Sequence, residues 1–275
     1  MTRTSLRVQK TIRKSGSLSG VGLHSGKKVT MRFEPAGVGF GVRFFNKGKE
    51  IPKEVINTSR CTIIGDKESS LQTVEHLLAA ISGLEITNLR IEADSTEVPA
   101  MDGSAIEFVR LFKALGIQEQ TEPVQTLKIK EPIFCGEKGK ALAAIPDEKF
   151  SIAYTLDYPH PFLREQIVDF DITADIFEKE IASARTFCTS VEAEEVRKRG
   201  LGLGANHKNT LVIGESGPIE NQFRYPDECA RHKVLDMMGD LSLLGFPLQV
   251  RVIGIRSGHT LNQQLVERIK EQQGR

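Results

Sequence analysis

The stretch DECARHKVLDMMGDLS, residues 227–242, carries His232, Asp236 and Asp240 at intervals of four. Residues four apart on an α-helix lie on one face. His232 and Asp236 can therefore grip one cation together. A catalytic zinc takes three protein ligands and keeps a fourth position for water. The third donor must come from elsewhere, among His24, His76, His160, His207 and His259. His76 is singled out because Glu75 precedes it. Consecutive helical residues point about 100° apart. Glu75 is thus too splayed to share the ion, yet close enough to face a water on it, as a general base must. The plainer alternative is a solvated helix face with a chance ion pair, and spacing alone leaves it open. His24, in GLHSG, also stays open as a spare ligand, its plainer role being to brace a turn. His160, between prolines in YPHPF, reads as structural, with a substrate-loop role as the alternative.

The chain that must position these residues has 275 amino acids, enough for one large domain or two ordinary ones. Its 37 basic and 36 acidic side chains leave a net charge of +1, so no overall field draws it to nucleic acid. No run of about 18 apolar residues occurs, and no transmembrane segment is expected. The basic N-terminus MTRTSLRVQKTIRKSG lacks a following apolar stretch, does not read as a secretory signal, and makes a cytoplasmic location the expectation. Cys61, Cys135, Cys188 and Cys229 are scattered and form no C-x-x-C pair. They read as reduced thiols, so a metal must be held mainly by His and carboxylate.

Periodicity supplies the elements. KKVTMRFEP alternates at Val29, Met31 and Phe33 and predicts a strand, with GFGVRFF as its hairpin partner. SSLQTVEHLLAAISGL repeats Leu71, Val74, Leu77, Leu78 and Ile81 at helical spacing and predicts a helix ended by Gly83. EITNLRIEAD is a strand, and AIEFVRLFKALG a second helix closed by Gly116. The polar segment IQEQTEPVQTLKIKEP places a boundary near Glu122. The second half repeats the order. KALAAIPDEKFSIAYTLDYP gives two strands joined by a turn, DECARHKVLDMMGDLSLLG a helix ending near Gly245, PLQVRVIGI a strand, and RSGHTLNQQLVERIKEQ a loop running into a helix. The expectation is an α+β fold of two similar βα sandwich domains packed against each other, residues 1–122 and 123–275. A charged helix, a glycine-rich turn and the strand TLVIG add a small inserted βαβ-like piece at about 191–214. RGLGLGAN, with Gly200, Gly202 and Gly204, follows a charged helix rather than a strand and reads as a plain turn, not a dinucleotide fingerprint.

GVGLHSGKKVTMRFEPA, TVEHLLAAISGL, MDGSA, ARTF, RGLGLG, RHKVLDMMGDL and SGHTLNQ occur in this order across nearly the whole chain. Together they resemble the UDP-3-O-acyl-N-acetylglucosamine deacetylases, zinc amidases of lipid A synthesis in Gram-negative bacteria. The resemblance implies one catalytic Zn²⁺, or Fe²⁺ in the same ligands, on His76, His232 and Asp236. It implies Glu75 as general base and His259 as the second catalytic group, with Asp240 orienting and charge-stabilising the imidazole. Lys233 is implied to hold the substrate or the developing oxyanion, Thr186 to donate to the same oxygen, and Phe187 to pack on the sugar. Cys61 falls where the family places a thiol near the site. Leu203 and Gly204, in the loop LGLGANHKN, are expected to contact substrate, with the insert between Val191 and Gly214 walling an acyl channel. His207 stands there where an apolar side chain would line such a passage comfortably.

The implied reaction is hydrolysis of the 2-acetamido group of UDP-3-O-[(3R)-hydroxyacyl]-N-acetylglucosamine to the free amine and acetate, the committed step of lipid A synthesis. The expected partner is this small-molecule UDP-acyl-glucosamine, and the expected state a monomer. Two other classes are distinguishable. A nucleotide-sugar or acyl-chain binding protein with a structural metal would close its site with four protein ligands, where the sequence offers three. A phosphotransferase built on the glycine loop lacks a P-loop lysine and hydroxyl in the required order.

Overall fold

A computed structural model describes residues 7–274. The first six residues of the basic N-terminal stretch lie outside the described residues.

The first half runs β1 (Val8–Ile12), β2 (Gly16–Val21), β3 (Lys28–Pro35), β4 (Val42–Asn46) and β5 (Lys49–Ile51). Three short strands follow, β6 (Val55–Asn57), β7 (Ile63–Gly65) and β8 (Ser70–Gln72). Helix α1 (Glu75–Gly83), β9 (Leu89–Ala93), α2 (Ile106–Leu115) and β10 (Ile117–Pro123) complete it. The main sheet has the order β2-β3-β9-β4-β5. The expected β3–β4 hairpin is therefore corrected. β9 enters between them, antiparallel to β3 and parallel to β4. Its alternating buried residues Leu89, Ile91 and Ala93 make it the better neighbour for both. The segment 70–72 also departs from the expected helix. It is an edge strand on β7, with Leu71 buried in the sheet and the helix starting at Glu75.

The second half runs β11 (Leu127–Lys128), β12 (Ile133–Glu137), β13 (Lys140–Pro146), β14 (Phe150–Leu156) and β15 (Gln166–Asp171). A short helix α3 (Ala174–Ile176) continues as a π-turn through Ile181. Then come β16 (Phe187–Thr189), α4 (Ser190–Lys198), β17 (Leu211–Gly214) and β18 (Gly217–Pro218), followed by α5 (Glu228–Leu241), β19 (Leu248–Ile255) and α6 (His259–Gln272). The main path of the second sheet is β12-β13-β19-β14-β15. β19 is antiparallel to β13 and parallel to β14. Strand order and direction thus match the first sheet. β16 and β17 pair in parallel around α4, which is the expected βαβ piece, lengthened at its start to Phe187 and closed by β18. Its counterpart β6-β7-β8 occupies the same place in the first half, between the last main-sheet strand and the site helix. The division expected near Glu122 falls within β10, one residue before its end; β10 pairs with β1.

Eight of the nine residues of α1 and twelve of the fourteen of α5 are buried. Helices buried all round must lie between other layers, and α1 packs on α5 where the two halves meet. Their approach is close. A Cβ on Gly239 of α5 would strike the backbone carbonyl of Glu75 at the start of α1. Phe33 of the first sheet meets Phe112 of α2 edge to face at 5.1 Å. Among the described residues no helix is long and apolar enough to cross a membrane.

Candidate metal centre and active site

The α1–α5 contact carries the histidines. His76 is the second residue of α1, and His232 and Asp236 stand one turn apart on α5. All three are buried. His76 Nε2 lies 3.6 Å and His232 Nε2 3.3 Å from Asp236 Oδ1, and the three donor atoms fall within 4.8 Å of one another. Ligands about 2.0–2.1 Å from one ion at tetrahedral angles sit roughly 3.3–3.4 Å apart. Asp236 Oδ1 is buried and has no hydrogen-bond partner among the described residues. A buried, unpaired carboxylate oxygen is costly unless something compensates it. The residues fit a small divalent cation on this count. They are the only described His, Cys, Asp and Glu side chains that converge in this way.

Two of the three donors are fixed from behind. His232 Nδ1 donates to the Ala184 carbonyl at 3.0 Å, leaving Nε2 as the free lone pair. Lys233 Nζ donates to Asp236 Oδ2 at 2.8 Å, leaving Oδ1 for the cavity. Burial keeps His232 neutral, at a pKa of about 3, as a metal ligand must be. Burial alone would raise Asp236, but the charges on Lys233 and His259 outweigh it and hold the carboxyl well below the usual range. Lys233 stays charged because its charge pairing and hydrogen bond with Asp236 outweigh its burial.

Two further groups face the same space. Glu75 opens α1, and its Oε2 accepts the Thr62 N–H at 3.1 Å. Burial raises its pKa. His259 opens α6, with its Nδ1 2.8 Å from Asp240 Oδ2 and its Nε2 3.9 Å from Glu75 Oε1. Asp240 also accepts from Asn262 Nδ2 at 2.8 Å and from the Thr62 hydroxyl at 2.5 Å. Burial works against an imidazolium at His259, but Asp240, Asp236 and Glu75 prevail and push it up to about 9.

Glu75, His76, His232, Lys233, Asp236 and His259 line a cavity of about 180 Å³, with Thr186, Phe187 and Tyr158 on its wall. Thr186 is held by its N–H, which donates to the carbonyl of Gly103 at 2.8 Å. Gly103 has φ +82°, and a Cβ there would strike the Asn209 carbonyl, so the MDGSA turn tolerates only glycine. Phe187 meets His232 edge-on at 6.1 Å and Tyr158 at 6.2 Å. A second cavity of about 120 Å³ shares Leu23, His24, Arg60, Thr186 and Phe187 and runs to Val196 and Val212 of the β16–β17 piece.

The other expected residues separate by position. Cys61 lines the main cavity as a neutral thiol, pushed up to about 12 by burial and by Glu75. Leu203 is 66% exposed, and neither it nor Gly204 lines either cavity. Their backbones pair with the carbonyls of His24 and Leu23, while Gly202, Ala205, Asn206 and His207 form the cavity wall. His207 has a buried Nδ1 without a partner among the described residues. His24 borders both cavities, and both its ring nitrogens are buried and unpartnered among the described residues. It does not converge with the three metal donors. His160 caps its own loop, accepting the Phe162 N–H at 3.3 Å.

Sequence reasoning missed Thr62, Asn262 and the Arg185–Glu228 pair. Asn262 carried a usable signal, since it follows His259 by three on one helix face. Arg185 donates to both carboxylate oxygens of the fully buried Glu228, at 2.8 and 3.0 Å, and so anchors the segment holding Ala184 and Thr186.

Two imidazoles and a carboxylate on facing helices, with a carboxylate and a histidine–aspartate pair beside them, are an arrangement of the kind that metal-dependent hydrolases use. Comparison with known proteins narrows the class. The sequence model of the UDP-3-O-acyl N-acetylglycosamine deacetylase family matches residues 9–271, and the chain belongs to that family. It is 41% identical over 271 residues to the UDP-3-O-acyl-N-acetylglucosamine deacetylase of Nitratidesulfovibrio vulgaris strain Hildenborough, covering 96% of this chain and 88% of the relative. It is 40% identical over 271 residues to the enzyme of that name from Oleidesulfovibrio alaskensis, covering 96% and 89%. For Thermodesulfovibrio yellowstonii the figures are 38% over 268 residues, 96% and 92%.

Proposed function

We propose that this chain hydrolyses the 2-acetamido group of a UDP-3-O-acyl-N-acetylglucosamine to the amine and acetate, the deacetylation that feeds lipid A synthesis, with Zn²⁺ held by His76, His232 and Asp236. The observation that carries this reading is the convergence of three metal donors, Glu75 and His259 on one cavity in a chain of this family. A cation in that donor set supplies Lewis acidity toward the amide carbonyl and acidifies water. Glu75, held by the Thr62 N–H, takes the proton from the attacking water. Thr186 donates a hydrogen bond to the oxygen as it gains charge, and Lys233 balances that charge from beside Asp236. His259 delivers a proton from Nε2 to the departing amine, its Nδ1–H fixed on Asp240. Phe187 forms the face against which the sugar packs, and Cys61 a neutral patch of the floor. The second cavity, between the β16–β17 piece and Leu23–His24, takes the acyl chain.

The N₂O donor set suits Fe²⁺ as well as Zn²⁺. All site residues come from one chain, so a monomer suffices. A nucleotide-sugar substrate places the reaction in the cytoplasm. Acetate release from UDP-3-O-acyl-N-acetylglucosamine by the purified protein, alongside elemental analysis, tests the reading. Turnover with about one Zn²⁺ per chain is expected. Full turnover by metal-free protein overturns it.

A further inference from the structure

We infer that Thr62 is a positioning residue that ties the base of one half of the molecule to the acid of the other. It lies in the β6–β7 connection of the first half, 2% exposed. Two of its groups work in different directions. The backbone N–H donates to Glu75 Oε2 at 3.1 Å. The side-chain hydroxyl donates to Asp240 Oδ1 at 2.5 Å, and its oxygen lies 3.3 Å from His259 Nδ1.

A hydroxyl has one proton, and here Asp240 receives it. The oxygen's lone pairs then face the His259 N–H, whose main acceptor is Asp240 Oδ2. Asp240 thus holds three donors, Thr62 on one oxygen and Asn262 and His259 on the other. Without the hydroxyl, Oδ1 would be buried without its donor and the carboxylate free to turn. The imidazole it orients would turn with it. A proton donor displaced by about 1 Å loses roughly a hundredfold in rate. The backbone bond to Glu75 survives any side-chain change. A substitution at Thr62 therefore loosens the acid while leaving the base in place.

This inference rests on the assignment of Glu75 as base and His259 as acid. Acetate release by the unaltered protein, and its loss in Glu75→Gln, test that assignment first. The inference itself is tested by Thr62→Val, which keeps the shape and removes the hydroxyl. Expected are a kcat lower by about tenfold to a hundredfold, an unchanged KM, unchanged metal content, and recovery of kcat in Thr62→Ser. A kcat equal to that of the unaltered protein overturns it, as does a fall in metal content that accounts for the whole loss. If Thr62→Val does not fold, the comparison moves to Thr62→Ser against Thr62→Ala. A clear advantage for serine supports the role, and equal rates refute it.

Discussion

In the proposed reaction the proton on His259 governs how this site answers to pH. Its charged form is favoured by Asp240, Asp236 and Glu75 over the penalty of burial, up to about 9. An acid must carry its proton to work, so activity holds below that value and falls as pH rises through it. Glu75 must be ionised to act as base, and burial raises its pKa. The acid limb therefore lies above the ordinary glutamate range. A bell-shaped plot of kcat/KM against pH is expected, and His259→Ala should lose its alkaline limb; an unaltered profile would remove His259 as the acid. Glu75→Gln should lower kcat by about 10²–10⁴-fold with metal content preserved. Elemental analysis beside initial rates separates that result from loss of the ion. At this scale the sequence was readable where residues share a helix. His232, Asp236 and Asp240 declared themselves by spacing, and His76 by its neighbour. Thr62 did not, because a loop residue's partners 13 and 178 positions away leave no local period.

Elements hold these residues at their working distances, and Gly239 marks the close approach of α1 and α5. A methyl group there meets the Glu75 carbonyl, which is backbone and cannot swing aside. Gly239→Ala should push α1 and α5 apart. The expected cost is about 1–3 kcal/mol or more of stability, read by thermal or denaturant unfolding. A parallel fall in activity is expected, because the same shift moves Glu75 off the cavity. Equal stability and rate would show that the helices have slack. Helices α2 and α6 and strands β3, β9 and β19 were legible from apolar periodicity and terminal glycines. The start of α1 was not, because Leu71 fits both a helical stripe and a strand edge. Neither was the pairing of β4, because adjacency along the chain cannot show that a later strand enters between two earlier ones.

The whole molecule is two matched sheets closing on one candidate ion site. Its donors come from both halves, so binding the ion should brace the folded state against separation of α1 from α5. A ligand present at a hundred times its Kd adds about 2.7 kcal/mol. For a chain of this size that corresponds to roughly 5–10 °C in Tm. Treatment with a chelator should lower Tm by that order, and added Zn²⁺ should restore it; scanning calorimetry of the two forms decides. A Tm indifferent to metal would mean that the halves are held by packing alone. The repeated order of elements was visible in the sequence as helix, glycine, strand and loop in each half. The insert of the first half was not, since three strands of three residues each carry too little pattern to separate from a loop.

The glycine that lets the helices touch has a counterpart. Gly83 follows His76 by seven positions, and Gly239 follows His232 by seven (83 − 76 and 239 − 232). The two histidines are thus equivalent places in a plan used twice, and their rings meet edge to face at 5.0 Å. The counterpart of Asp236 is Ala80, and that of Glu75 is Arg231. The proposed third donor and the proposed base thus each belong to one half only, and they give a nearly symmetric imidazole pair a direction.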